Sequence, residues 1–284
     1  MQKINNNKFL IKDNSYFVKK YTKDRESSYK RESYFYNFFK NLQNIYLPEL
    51  ISKKNNKSIT FRYYPFKKKI SQKKYFEALL KFFILTNKKY KKIYIMNSKE
   101  MHSSIPKLKK NIYNRIKAIK KSQKQNKRID YIINELLYSI PKKNPPKNFD
   151  SKKFIVISQS DVGIHNAGLY KDKIFFFDFE YAGKDHIVKF ICDIYYQPEL
   201  NVNRNLFKIF LNKIQKYIGI NIYKALATYE PYYKAKMILI ILKIFDTKSK
   251  FNISKKNTIR VIRNERLKKA FLYINKKSIN SLIK

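Results

Sequence analysis

Three polar residues at fixed spacing follow two apolar segments in the middle of the chain. Asp161 and Asn166 come after residues 154–157, and Asp178 comes after a second segment rich in Ile and Phe. One carboxylate can orient and deprotonate an attacking hydroxyl, while an amide oxygen and a second carboxylate can hold magnesium against nucleotide phosphates. The pattern Asp-x4-Asn-x11-Asp therefore predicts phosphoryl transfer, with Asp161 as the base and with Asn166 and Asp178 as the metal ligands.

The same pattern also has a purely structural explanation. Asp and Asn are common in loops, because their side chains form hydrogen bonds with the local backbone. The context favours chemistry, since both acids stand at the ends of segments rich in Ile, Val and Phe, where a turn can project polar groups into a cleft. We therefore interpret the three side chains as a site.

Beyond the bare pattern, these residues resemble a known family, the aminoglycoside phosphotransferase and choline kinase group, which has the protein-kinase-like fold. Two segments carry the resemblance: Ser160-Asp161-x4-Asn166 and Phe177-Asp178-Phe179-Glu180. The resemblance implies that Asp161 is the catalytic base and that Asn166 and Asp178 are magnesium ligands. The chain departs from the family in one place, because the family usually has His-Gly before the catalytic Asp and this chain has Gln159-Ser160. The departure concerns the supporting hydrogen bonds of the loop.

The first 66 residues predict the order strand, strand, helix, strand. The apolar periodicity assigns these elements to residues 8–12, 16–21, 24–42 and 58–64. A strand before the first of these is predicted to be absent or very short. This is the order of a small kinase-like lobe. The expected fold is therefore α+β and bilobal, with a β-rich N-terminal lobe at 1–66 and a larger, mainly helical C-terminal lobe at 67–284.

A lysine and a glutamate in the predicted N-terminal lobe are candidates for holding nucleotide phosphates. In the kinase-like fold a strand Lys pairs with a helix Glu, and the resemblance implies Lys19 and Glu32 for these roles. Lys19 directly follows the apolar Val18, although Lys20, on the opposite face of the strand, is an alternative. Glu32 lies on the predicted buried helix face, where an acid needs a partner. A solvated side chain is the other explanation for any one Lys in this Lys-rich chain.

Two further segments are expected to contact a nucleotide. Asn5 and Asn6 stand where the resemblance places the phosphate loop, and Asn tolerates backbone conformations that turn amide groups toward a phosphate. Residues 61–66 are predicted to form the hinge, where backbone groups of Tyr63 and Tyr64 would meet the adenine. The implied cofactors are ATP and Mg²⁺.

After the hinge the apolar pattern is helical. Three-to-four spacing predicts helices at residues 71–86, 105–121, 129–140, 187–196, 206–218, 222–246 and 254–273. Pro231 is expected to bend or break the sixth of these. Asp193, in an otherwise apolar helix, is given a structural role.

The charge of the chain is strongly positive. The formal net charge is +44, and the excess is nearly all Lys, because there are only nine Arg. Such a charge favours contacts with nucleic acid or anionic membranes. However, the lysines are spread along the whole chain and accompany abundant Asn, Ile, Tyr and Phe, which is typical of an AT-biased genome. We interpret the charge as a solvated surface and expect no dedicated nucleic-acid partner.

Composition also limits location and substrate. No apolar run approaches the roughly 20 residues that span a bilayer, the N-terminal residues lack the apolar core of a signal peptide, and one Cys allows no internal disulfide. These features predict a cytoplasmic protein, with the oligomeric state left open. Few acids follow His186, so a neutral or anionic hydroxyl acceptor, such as a sugar, is preferred over a cation. The alternative is a catalytically inactive kinase-like or basic nucleic-acid-binding module.

Overall fold

The computed structural model divides the chain into two compact units. It describes residues 2–4, 7–12, 15–55, 57–67, 69–88, 95–102, 104–123, 126–142, 152–198, 200–246 and 256–282. The first unit comprises Met1–Met101, Ile155–His186 and Val202–Gly219, and the second comprises His102–Phe154, Ile187–Asn201 and Ile220–Lys284. The lobe boundary expected between residues 66 and 67 stays a prediction.

The first unit holds all the strands of the described chain. They are β1 (Gln2–Ile4), β2 (Asn7–Lys12), β3 (Tyr16–Lys20), β4 (Leu50–Lys54), β5 (Ser58–Arg62), β6 (Ile155–Ser158), β7 (Ala167–Tyr170), β8 (Lys173–Phe176) and β9 (Gly183–His186). Its helices are α1 (Glu26–Phe38), α2 (Gln72–Lys88) and α6 (Arg204–Ile218). The second unit is helical: α3 (Ile105–Ser122), α4 (Lys127–Ser139), α5 (Ile187–Tyr195), α7 (Ile222–Ile241) and α8 (Lys256–Ile274).

Five antiparallel strands form the N-terminal sheet, in the order β1-β2-β3-β5-β4. The predicted hairpin is confirmed as β2 and β3, and its turn residues Asp13 and Asn14 lie outside the described residues. The predicted four-element order is incomplete, because it lacks β4 and leaves β1 open. β4 reads Leu-Ile-Ser-Lys-Lys at the sheet edge and is largely exposed, so no apolar alternation marks it.

Helix α1 packs against this sheet through aromatic side chains. The ring centroids of Tyr36 and Phe61, on β5, lie 4.7 Å apart, and Phe35 and Phe39 are buried beside them. The core therefore fixes the helix at the back of β3 and β5. This contact determines which α1 residues can reach Lys19 on β3.

Two small two-stranded sheets follow in the first unit, and the second of them is a hairpin. β6 pairs with β9, and β7 pairs with β8, both antiparallel. The apolar strands β6 and β8 were predicted. Their partners were not, because β7 (Ala-Gly-Leu-Tyr) and β9 (Gly-Lys-Asp-His) carry no apolar alternation. These two sheets place the segment before Asp161 and the segment at Asp178 side by side.

Gly168 on β7 is required by close packing. A Cβ atom built there would lie 2.4 Å from Cγ of Phe66, whose ring stacks on Phe177 at 5.6 Å between centroids. We expect Gly168→Ala to destabilise the protein by about 1–3 kcal/mol, because the ring must leave its packed position. Chemical unfolding followed by circular dichroism tests this, and an unchanged free energy of unfolding would contradict it.

In the second unit, α7 is buried along most of its length and packs against α3, α5 and α8. Pro231 lies inside α7 without ending it, and a 3₁₀ turn, Leu242–Phe245, follows the helix. α7 is therefore not broken at Pro231, and the predicted bend there stays a prediction. Glu230, one residue earlier, accepts hydrogen bonds from Tyr196 and from the backbone N–H of Ile279.

Among the described residues, no helix has both the length and the apolar composition that crossing a membrane requires.

Candidate active site

The segment between β6 and β7 carries Asp161. Gln159, in the place of the family's His, donates from Nε2 to the carbonyl oxygen of Phe177 at 2.6 Å. Ser160, in the place of the family's Gly, has a φ of 66°, a left-handed conformation that Gly adopts at lower cost. In this chain Gln159 therefore joins the Asp161 segment by a hydrogen bond to Phe177, the residue before Asp178.

Asp161 is the most accessible acid of the predicted site. Its side chain is 44% exposed, and Oδ2 lies 3.5 Å from Nε2 of His165, which is similarly exposed. The buried Tyr75 of α2 donates its hydroxyl to the carbonyl oxygen of Val162 and so anchors the adjoining backbone. The carboxylate can therefore be reached by a substrate while its main chain is held.

Asn166 links the Asp161 loop to the Asp178 segment. Its side-chain Nδ2 donates to the backbone carbonyl oxygen of Asp161 at 3.0 Å. Its backbone carbonyl oxygen accepts from the N–H of Phe177, also at 3.0 Å. The structure thus brings two predicted site residues into direct contact. A metal would use the other end of the amide, its oxygen, and the ligand role of Asn166 stays a prediction.

Lys19 lies at the centre of an ionic cluster. Its Nζ is 2.7 Å from Glu32 Oε2 and 2.6 Å from Asp178 Oδ1, and its side chain is only 3% exposed. Tyr21 also donates its hydroxyl to Glu32. Lys20 points to solvent, so Lys19 is the lysine that faces α1 and Asp178.

Glu180 and Arg25 complete this ionic cluster. Glu180 Oε2 lies 3.6 Å from Lys19 Nζ, and Oε1 accepts from Arg25 Nη2. Burial alone would lower the pKa of Lys19, but the carboxylates of Glu32, Asp178 and Glu180 outweigh it and raise that pKa above its usual value. Lys19 is therefore a permanent cation at neutral pH.

The cluster has the donor chemistry of a magnesium site. One carboxylate oxygen from each of Glu32, Asp178 and Glu180 lies within 4.8 Å of the other two. Hard cations such as Mg²⁺ prefer oxygen ligands of this kind. Asp178 is the least buried of the three, at 35% exposed. Its carboxylate is therefore the one that can best bind a metal ion together with nucleotide phosphates.

The groups of the predicted hinge are engaged in contacts within the protein, and their meeting with an adenine stays a prediction. The ring of Tyr64 is buried and stacks on Phe66 and Phe175, and its hydroxyl donates to Asn44. The N–H of Tyr63 donates to the carbonyl oxygen of Ser15. Asn5 and Asn6, the predicted phosphate loop, lie outside the described residues.

Sequence reasoning did not select Glu180 or Arg25 as site residues. Glu180 lies within the segment that carries the family resemblance, but its spacing from Asp178 alone gave it no role. Arg25 had a usable signal: among nine Arg in a chain with so many Lys, Arg25 and Arg31 flank the start of one helix. In a chain with few Arg, the position of an Arg indicates a specific ion pair more strongly than the position of a Lys does.

No protein-family model matches the sequence, and no curated protein matches it either. Solved structures do match the fold. A choline/ethanolamine kinase family protein from Mesorhizobium loti superposes with a TM-score of 0.60 at 12% identity, covering 98% of this chain and 88% of that one. A choline kinase from Streptococcus pneumoniae gives 0.59 at 11% identity, covering 96% and 91%. An ADP-bound aminoglycoside phosphotransferase gives 0.53 at 14%, covering 95% of each chain.

These matches extend over nearly the whole chain and agree with its elements. The described chain is mixed α and β, with a small strand-rich N-terminal part and a larger helical part. At such low identity the likeness concerns the fold alone. The protein therefore has the protein-kinase-like fold that aminoglycoside phosphotransferases and choline/ethanolamine kinases share.

Proposed function

We propose that the protein is a small-molecule kinase that transfers the γ-phosphate of ATP to a hydroxyl group. The observation that carries this proposal is the position of Lys19, which bridges Glu32 on α1 and Asp178 after β8. Binding of a nucleoside triphosphate and its metal requires this kind of arrangement, in which a buried cation forms an ion pair with a carboxylate at a strand end. The matched structures, which are those of kinases and phosphotransferases, support the same reaction.

In the proposed reaction Asp161 orients the acceptor hydroxyl and takes its proton as the oxygen attacks the γ-phosphorus. The bond from that phosphorus to the β–γ bridging oxygen breaks, and ADP leaves. Lys19 places the phosphates, and Glu32 fixes Lys19. Little covalent chemistry falls to the protein in such a transfer, so positioning and charge provide most of the rate.

Asp178 and Asn166 are the proposed ligands of Mg²⁺, and the carboxylates of Glu32 and Glu180 lie close to Asp178. When bound, the ion neutralises charge on the phosphates. Phe66 and Phe177 are half-buried and stack on each other next to Asp178, and their rings offer a flat apolar surface for the base of the nucleotide.

The acceptor is the open part of the proposal. The names of the matched proteins and complexes include choline, ethanolamine, streptomycin and gentamicin, and these four compounds are cations. The scarcity of acids after His186 favours a neutral or anionic acceptor instead. A screen for ADP release across sugars, amino alcohols and aminoglycosides decides between them. If no acceptor of any class supported ADP release, the proposed function would be contradicted.

We expect Lys19→Met to weaken ATP binding about 10- to 100-fold, because a buried charge-assisted contact to the phosphates is lost. Lys20→Met is the matched control, since Lys20 is the neighbouring, exposed lysine, and it should leave affinity unchanged. Calorimetric titration with ATP and Mg²⁺ measures both. If Lys20→Met weakened binding and Lys19→Met did not, the assignment of the phosphate-holding lysine would be reversed.

A further inference from the structure

Helix α1 and the residue before it, Arg25, form hydrogen bonds with the segment that follows Asp178. Three hydrogen bonds join them: from the N–H of Phe179 to Glu32 Oε1 (3.3 Å), from Arg25 to Glu180, and from Arg31 to the carbonyl oxygen of Ala182 (3.2 Å). Phe179 is fully buried and stacks on Phe35 at 4.3 Å. Asp178 has a φ of 65°, which costs energy for a residue other than Gly. The contacts of the following residues with α1 therefore hold Asp178 in this conformation.

The charges of the cluster are unequal. Three carboxylates (Glu32, Asp178 and Glu180) face two cations (Lys19 and Arg25), which leaves a formal charge of one negative unit. Arg25 contacts Glu180 directly, whereas Lys19 lies 3.6 Å from Glu180 but within 2.7 Å of Glu32 and Asp178. Arg25 therefore carries most of the compensation of Glu180.

We propose that Arg25 is a positioning residue that cancels the charge of Glu180, so that the site takes a divalent cation together with nucleotide phosphates rather than the cation alone. This inference rests on the proposed function, because it concerns the metal of the same reaction. Glu180 is 6% exposed, and a buried carboxylate without a cation seeks another partner. Lys19, at 3.6 Å, and the proposed metal are cations close enough to take the place of Arg25.

The two binding events respond to Arg25 with opposite sign. Removal of the Arg25 charge makes the cluster more negative, which strengthens binding of a bare divalent cation. The same change repels the metal–ATP complex, which is itself negative, and draws Lys19 from Asp178 toward Glu180. At an effective dielectric constant between those of water and of a protein surface, one unit charge several ångströms from the metal changes the affinity of the metal about threefold to tenfold. A loosened structure would instead weaken both events.

The test uses the full chain and Mn²⁺ as the metal probe. Free Mn²⁺ binding is measured by electron paramagnetic resonance without nucleotide, and Mn²⁺–ATP binding is measured by calorimetry. Arg25→Met should bind free Mn²⁺ about threefold more tightly and Mn²⁺–ATP about tenfold more weakly. Arg25→Lys should stay close to the parent in both. Arg204→Met is the control, since Arg204 is an exposed arginine on α6 of the same unit, and the change should affect neither.

The double variant Arg25→Met, Glu180→Gln removes both charges and should recover Mn²⁺–ATP binding toward the parent value. It also serves if Arg25→Met alone does not fold, because free Mn²⁺ binding in the double variant should then equal that of the parent. Weakening of both binding events in the single variant, or no recovery in the double, overturns the role of Arg25. A parent protein that binds no Mn²⁺–ATP would instead refute the proposed function itself.

Discussion

Asp161→Asn should abolish turnover while ATP affinity stays near that of the parent. The Asp161 carboxylate is solvent-accessible and lies apart from the ionic pairs of Lys19, so its loss leaves the groups proposed to hold phosphates unchanged. The amide keeps the shape of the side chain but accepts no proton. General-base catalysis contributes about 10²- to 10⁴-fold, and loss of hydroxyl positioning adds to the decrease.

Steady-state ADP release with the best acceptor from the screen, together with an ATP titration, measures the two quantities. The matched control is Asp172→Asn, the same chemical change in the β7–β8 turn, where the carboxylate is 89% exposed. The control should retain full activity. Unchanged turnover in Asp161→Asn would remove Asp161 from the mechanism, and loss of ATP affinity would show that the side chain belongs to the nucleotide site.

The elements that sequence reasoning found are those that bury an apolar stripe. α2 and α3 begin and end within two residues of their predicted bounds, because Leu, Ile and Phe recur there at helical spacing. β4, β7 and β9 were missed for the opposite reason. They are held by hydrogen bonds to a neighbouring strand, and a short edge strand needs no apolar face of its own.

The candidate site divides in a similar way. The pairing of Lys19 with Glu32 could be anticipated, since a helix acid on an apolar face needs a cation and the hairpin places one opposite. The contact of Arg25 with Glu180 joins residues 155 positions apart, and no local pattern encodes it. Charge balance could still have indicated it, because two buried acids near one lysine require a second cation.

Charge balance also connects the fold to the proposed reaction. α1 is fixed to the N-terminal sheet by its aromatic side chains, and it provides Glu32 to Lys19 and Arg31 to the segment after Asp178. One helix therefore aligns the lysine of β3 with the acid that follows β8. The site depends on the packing of α1 as much as on the residues that would touch substrate.

Asp178→Ala should remove metal-dependent ATP binding, weakening it about 100-fold or more, because a carboxylate ligand and its charge are lost and Ala offers neither. Folding should be retained, since Lys19 keeps Glu32 as a close partner and the cluster loses its excess negative charge. ATP binding without metal should change little. Calorimetric titrations with and without Mg²⁺ separate the two cases.

The backbone at Asp178 requires a second variant. Its φ of 65° is tolerated better by Asn than by Ala, so Asp178→Asn separates loss of the ligand charge from added backbone strain. We expect Asp178→Asn to lose most of the metal dependence while it unfolds at the parent temperature. Asn166→Ala should weaken metal-dependent binding less than either, because it removes a neutral oxygen. If Asp178→Asn bound Mg²⁺ and ATP as tightly as the parent, Asp178 would be a turn residue, and the metal would have to depend on Glu32 and Glu180.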